Sequence, residues 1–216
     1  MGFFNMENKF FQAMGQLADA FILSVLWLLF CIPVVTAGAS TTALFYTAHK
    51  VLRRQQGYLW SAFWGAFKSN FKQSTIIGLV YLAVFLLLSI DWRITNQMGA
   101  QNPAYGAASY FFLVLMLFLT VWGIYTFAYT ARFELGVAQT MKNGVLLLIA
   151  HFPWSLLIMV IFLVSLAIVF LVMPLFILIV PTGAAALYDI ILDRIFRKYM
   201  SEEDLKREEE LDMLER

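Results

Sequence analysis

Between Lys142 and Asp189 the chain runs 46 residues without an Asp, Glu, Lys or Arg. Three more such stretches cover 38 residues after Arg93, 30 after Asp19 and 18 after Lys72. A membrane-spanning helix needs roughly 20 mostly apolar residues. An ionic side chain at the bilayer centre costs about 2.5–3.5 kcal/mol on insertion scales. Four charge-free stretches of this length therefore predict a polytopic membrane protein. Hydrophobic residues make up 62% of the chain and charged ones 13%, so a water-soluble fold would leave much apolar surface wet. A β-barrel would alternate apolar and polar residues along each strand. Residues 170–180 are continuously apolar, so the expected class is all-α, a transmembrane helical bundle.

The expected spans are 18–35, 74–90, 108–129, 153–172 and 175–191. The last two come from splitting the longest stretch near Met173–Pro174. Left unsplit, as one kinked helix, it makes four spans, so the count is about five with four still open. Residues 2–18 read as a short interfacial helix, with Phe10, Met14 and Leu17 on one face. Ser40 or Thr41 is a candidate cap for a helix toward Arg54. Trp60, Phe63, Trp64 and Phe67 recur at helical spacing with Lys68 among them, which marks a basic amphipathic helix at the membrane surface. Residues 91–105 read as the one conventional loop, and 132–143 as a short polar elbow. Residues 1–199 form one transmembrane domain in this reading, and 200–216 a charged cytoplasmic tail.

Orientation follows the bias of Lys and Arg. Residues 50–72 hold five basic residues and no acid, and Arg194, Arg197 and Lys198 follow the last span. With five spans these segments face the cytoplasm, the N-terminus lies outside and the C-terminus inside. Ala37-Gly38-Ala39 resembles a signal cleavage site, but Glu7, Lys9 and Asp19 precede it, against the charge pattern of a leader.

Little in the chain points to catalysis. Cys31 is the only cysteine, and the two histidines, His49 and His151, lie far apart in sequence. No HExxH, CxxC, Walker A or GxGxxG occurs, so neither an enzyme nor a cofactor is expected. A net charge of +1 argues against nucleic acid as a partner. Charges near spans are the default functional candidates. Arg132, Glu134, Asp189 and Arg194 all fall at predicted span ends on one predicted membrane face. They form the candidate ion-pair or interaction network. Trp60, Phe63, Trp64, Phe67 and Lys68 form the candidate interfacial face, with the lipid bilayer as its partner.

Several segments resemble one known family. The opening Gly2-Phe3-Phe4-Asn5-Met6, Leu17-Ala18-Asp19, Ile32-Pro33-Val34-Val35-Thr36 and Gly38-Ala39-Ser40-Thr41-Thr42-Ala43-Leu44 are similar to the YesL family of bacterial membrane proteins. So are Asn70-Phe71-Lys72-Gln73, Ala131-Arg132-Phe133-Glu134 and Lys198-Tyr199. Where that family often has Pro-Gly, this chain has Pro181-Thr182-Gly183. The family has no established function. Its genes tend to lie beside sugar ABC-transporter and carbohydrate-degradation genes. The resemblance therefore implies a bacterial cell-membrane protein, an accessory of carbohydrate ABC import that binds permease subunits. The alternatives are a membrane sensor signalling to a cytoplasmic partner and a small-solute transporter in its own right.

Overall fold

The computed structural model describes residues 3–99 and 102–200, so the tail from residue 201 lies outside it. Among the described residues the architecture is all-α, eight α-helices with no strand. Helix α1 spans Phe3–Cys31 and α2 spans Ala37–Thr47, which runs on as a wider π-helical turn over Ala48–Arg53. Then come α3 (Leu59–Ser69), α4 (Phe71–Gly99), α5 (Pro103–Thr130), α6 (Val137–Ala150), α7 (Phe152–Ala167) and α8 (Val180–Phe196). Four helical stretches are long and apolar enough to cross a membrane: Met14–Cys31, Phe71–Gly99, Pro103–Thr130 and Phe152–Val172.

Several expected boundaries move, each for a local reason. From Phe3 on, the expected interfacial helix and the first span are one helix, because nothing stronger than Gly15 interrupts them. That helix stops at Cys31 rather than Val35. Pro33 disfavours helical backbone at Ile32. The Thr36 hydroxyl donates to the Phe30 carbonyl at 2.6 Å and the Pro33 carbonyl at 2.8 Å, filling the helix end. Neither Ser40 nor Thr41 caps α2, which begins at Ala37. Their hydroxyls donate instead to the carbonyls of Trp27 and Ala37.

The expected loop over 91–105 is mostly helix. Helix α4 runs to Gly99, and α5 starts at Pro103, whose missing N–H costs nothing at a first helical position. The Asn102 side chain caps it by accepting from the Ala104 N–H at 2.9 Å. Gly99 is spent on close approach, since a Cβ there would sit 2.9 Å from the Gly106 Cα. The result is a tight antiparallel α4–α5 hairpin, joined lower down by the hydroxyls of Tyr81 and Thr126 at 2.8 Å.

The break expected near Met173–Pro174 is present. Met173 is extended (φ −163°, ψ 125°), as the residue before a proline favours. A 3-10 segment, Pro174–Leu178, then leads into α8. The helix after the break covers Val180–Phe196, not 175–191, and is 17 residues long.

Lipid is as apolar as Leu, so helix association in a membrane rests on close packing and hydrogen bonds. Both are visible here. A Cβ on Gly38 would overlap the Ser74 carbonyl oxygen, and one on Gly78 would lie 3.1 Å from the Gly38 Cα. Helices α2 and α4 therefore cross backbone to backbone. Buried hydroxyl pairs fasten the crossings: Ser24–Thr182 at 2.7 Å, Thr42–Ser74 at 2.8 Å and Ser155–Tyr125 at 3.1 Å. Each such bond contributes about 0.6 kcal/mol on average.

Candidate functional site

Asp189 and Asp193 lie one helical turn apart on α8, so both carboxylates point the same way, and both are buried. Two buried anions side by side repel unless cations meet them. Two arginines do so. Arg132 follows the end of α5 and donates through Nη2 to Asp189 Oδ1 and through Nη1 to Asp193 Oδ1, both at 2.6 Å. Arg53 ends the π-helical turn and donates through Nη1 to Asp189 Oδ2 and through Nη2 to Asp193 Oδ2, both at 2.8 Å. Each guanidinium spans both carboxylates, and each carboxylate takes one bond from each guanidinium. The planar fork of Arg makes this possible where the point charge of Lys does not.

The sixfold neighbourhood is completed by His49 and Arg197. His49 lies four residues before Arg53, and its Nδ1 is 2.8 Å from Asp189 Oδ2 and 2.7 Å from Arg132 Nη2. The Arg197 Nε reaches Asp193 Oδ2 at 3.3 Å from just past the end of α8. The Phe196 ring closes the side, with the Arg132 guanidinium carbon 5.4 Å from its centroid and Phe133 edge-on against it. Burial would raise the Asp193 carboxyl, but Arg132, Arg53 and Arg197 outweigh it and hold that carboxyl below the usual carboxylate range. Burial likewise pulls the Arg53 guanidinium down, and its two Asp partners more than restore it. The arrangement is saturated with opposite charge. It ties the ends of α2, α5 and α8 together, at the end of the α4–α5 hairpin remote from Gly99 and Gly106.

Of the four charges singled out from sequence, the structure brings Arg132 and Asp189 together. Glu134 turns the other way and lines an adjacent cleft. Arg194 leaves the cluster too, and its guanidinium lies over the Trp154 ring at 5.9 Å. Four members were missed: His49, Arg53, Asp193 and Arg197. The four-residue spacings His49–Arg53 and Asp189–Asp193 were the available signal, each pair sharing a helix face. Among the described residues no group of three or more His, Cys, Asp or Glu gathers as a metal site would require.

The cleft beside the cluster has a volume of about 910 Å³. The chain around Gly57 and α3 form one wall, and residues 130–135 form another. Tyr46, Lys50, Tyr58, Gln73, Arg132 and Glu134 supply its polar and aromatic lining. Helix α3 turns its small residues Ser61, Gly65 and Ser69 into the cleft. Its aromatic face goes elsewhere. Phe63 and Phe67 are buried against Phe30, at centroid distances of 5.9 and 5.0 Å, and Trp64 stacks beside Phe67. Lys68 lies over the Trp64 ring at 5.0 Å. Trp60 is 61% exposed, so the aromatic stripe divides into a buried part and a free edge.

No curated protein and no solved structure matches the chain. A family model does match residues 20–92, from within α1 to within α4, so it includes His49, Arg53 and α3 but not Arg132, Asp189 or Asp193. Over those residues the chain is similar to the family described as protein of unknown function, DUF624.

Proposed function

We propose that this protein is a non-enzymatic integral membrane protein of the YesL family that assists a carbohydrate ABC importer, docking a permease subunit in the cleft between its two elbows. The observation that carries the reading is the cleft itself. The elbows over 57–73 and 130–135 are far apart in sequence, yet they line one polar cavity of about 910 Å³ at the end of the bundle. A surface built from two separate elbows suits a protein partner. The saturated ion cluster beside it holds one wall in place. The bias of Lys and Arg argues for this end facing the cytoplasm of a bacterial cell, and counting the 17-residue α8 as a fifth crossing beside the four longer stretches leaves the N-terminus outside.

The test is affinity purification from native membranes. A Cβ at Gly65 meets nothing within 4 Å, so Gly65→Leu enters the cleft without straining the helix. Permease subunits should come along with the wild type and be lost with Gly65→Leu, while melting stays the same. Recovery of a cytoplasmic signalling protein in place of the permease would support the sensor reading. Solute uptake by the purified protein in liposomes would support a transporter.

A further inference from the structure

A second cavity of about 570 Å³ lies at the depth of the spanning helices, apart from the ion cluster and the polar cleft. Its walls come from the first half of α4 (Gly78, Tyr81, Phe85) and the second halves of α5 (Leu119, Gly123, Phe127) and of the fourth apolar stretch (Phe162, Leu166, Phe170). Trp27 and Gly38 close the back. Gly38 and Gly78 bring α2 and α4 together at the back, and a Cβ on Gly123 would meet the Tyr81 ring at 3.7 Å. The rim is open, with Val34, Phe85 and Phe170 all exposed.

Three facts select the occupant. First, the polar side chains in the lining are turned to the protein. The Trp27 N–H donates to Thr41, Tyr81 pairs with Thr126, and Tyr188 is 5% exposed with its ring against Phe45. Thr41, Thr120 and Ser165 donate back to their own helices. None of the buried polar atoms without a partner among the described residues belongs to the lining. A cavity lined in this way recognises hydrocarbon. Second, it is too small for a partner helix, because one helical turn about 10 Å across and 5.4 Å high already takes roughly 420 Å³. Third, the longest part of this chain outside the described residues, 201–216, carries eight acids and cannot enter an apolar site in the bilayer.

We infer that this cavity is a fixed site for one acyl chain of a bilayer phospholipid, with the headgroup left outside. The site stands independently of the permease reading, since it shares no residue with the polar cleft.

The test uses the full chain, extracted in mild detergent and observed by native mass spectrometry. The wild type should retain one phospholipid per chain. Retention should be indifferent to headgroup and should fall at least tenfold when the acyl chains are shortened to eight carbons. Gly123→Leu fills the cavity and should lose the lipid, while Gly65→Leu in the other cleft keeps it. A second measurement needs no variant at the site's floor: with Trp27 as the sole tryptophan, phospholipid brominated in mid-chain should quench it saturably at one equivalent. No retained lipid, or retention unchanged by Gly123→Leu in a folded protein, overturns the site. So does dependence on headgroup but not on chain length, or quenching of Trp27 that never saturates. A dimer that Gly123→Leu breaks would show that a second copy occupies the cavity instead.

Discussion

Asp189 and Asp193 share the same two arginines. One turn of α8 separates them, and Arg53 and Arg132 each bridge the pair at 2.6–2.8 Å. Three distant parts of the chain meet in this one arrangement, so its removal should be felt by the whole bundle.

Arg132 is the more enclosed arginine, its side chain 10% exposed against 33% for Arg53. Arg132→Ala leaves both carboxylates short of a cation. Breaking a buried pair by removing one partner costs about 3–5 kcal/mol. The melting temperature of the purified variant should fall sharply, and Arg132→Lys should recover only part of it, because an ammonium cannot span both carboxylates. Arg53→Ala should cost less. Glu134→Ala should melt like the wild type, since Glu134 faces the cleft. A Glu134→Ala variant as unstable as Arg132→Ala would place Glu134 inside the network after all.

The acid response follows from the lowered Asp193 carboxyl. A group whose folded value is depressed contributes stability that is complete above its unfolded value, about 3.9 for Asp, and is lost as pH falls through the folded value. Melting should therefore be flat from about pH 6 to 9 and decline below about pH 4. Asp193→Asn should be less stable at neutral pH and should show a shallower acid decline. An equal decline in that variant would assign the acid response to other carboxylates.

The α2–α4 crossing has no room for a methyl group at Gly38. Gly38→Ala should push the helices apart and cost about 1–3 kcal/mol, the range for overpacking. Gly65→Ala, where a Cβ meets nothing, should be close to neutral. Thermal melts of the two variants side by side check this, and equal melting would mean that the crossing is looser than described.

Along α3, Phe63 is 1% exposed and Trp60 is 61% exposed. Phe63→Ala should destabilise by about 3–5 kcal/mol, as truncation of a buried Phe does. Trp60→Ala should cost under about 1 kcal/mol. Yield in membranes and melting temperature report both, and a reversed order would mean that α3 is rotated.

Much of the architecture was legible in the residues because apolar length and charge are local properties. The charge-free stretches located the four long apolar helices, and the break at Met173 lies where the longest stretch was expected to split, whereas the first helix stops short of the expected Val35 because Pro33 disfavours helix at Ile32. Glycines misled in one place. Gly99 fell in the expected loop over 91–105, but its close contact with Gly106 uses glycine for the same reason a turn does, the missing side chain. The ion cluster was half legible. Arg132 and Asp189 stood out because they end apolar runs. Arg53 and His49 did not, since nothing in the order of residues says that the end of α2 returns to the end of α8. Whether Glu134 or Asp193 would face Arg132 depended on helix rotation and on the crossing at Gly38. The sequence by itself determined a helical membrane bundle, through the cost of placing charge in hydrocarbon. Which charges meet and where cavities open were decided only by tertiary packing, because both depend on the angles at which helices distant in sequence cross.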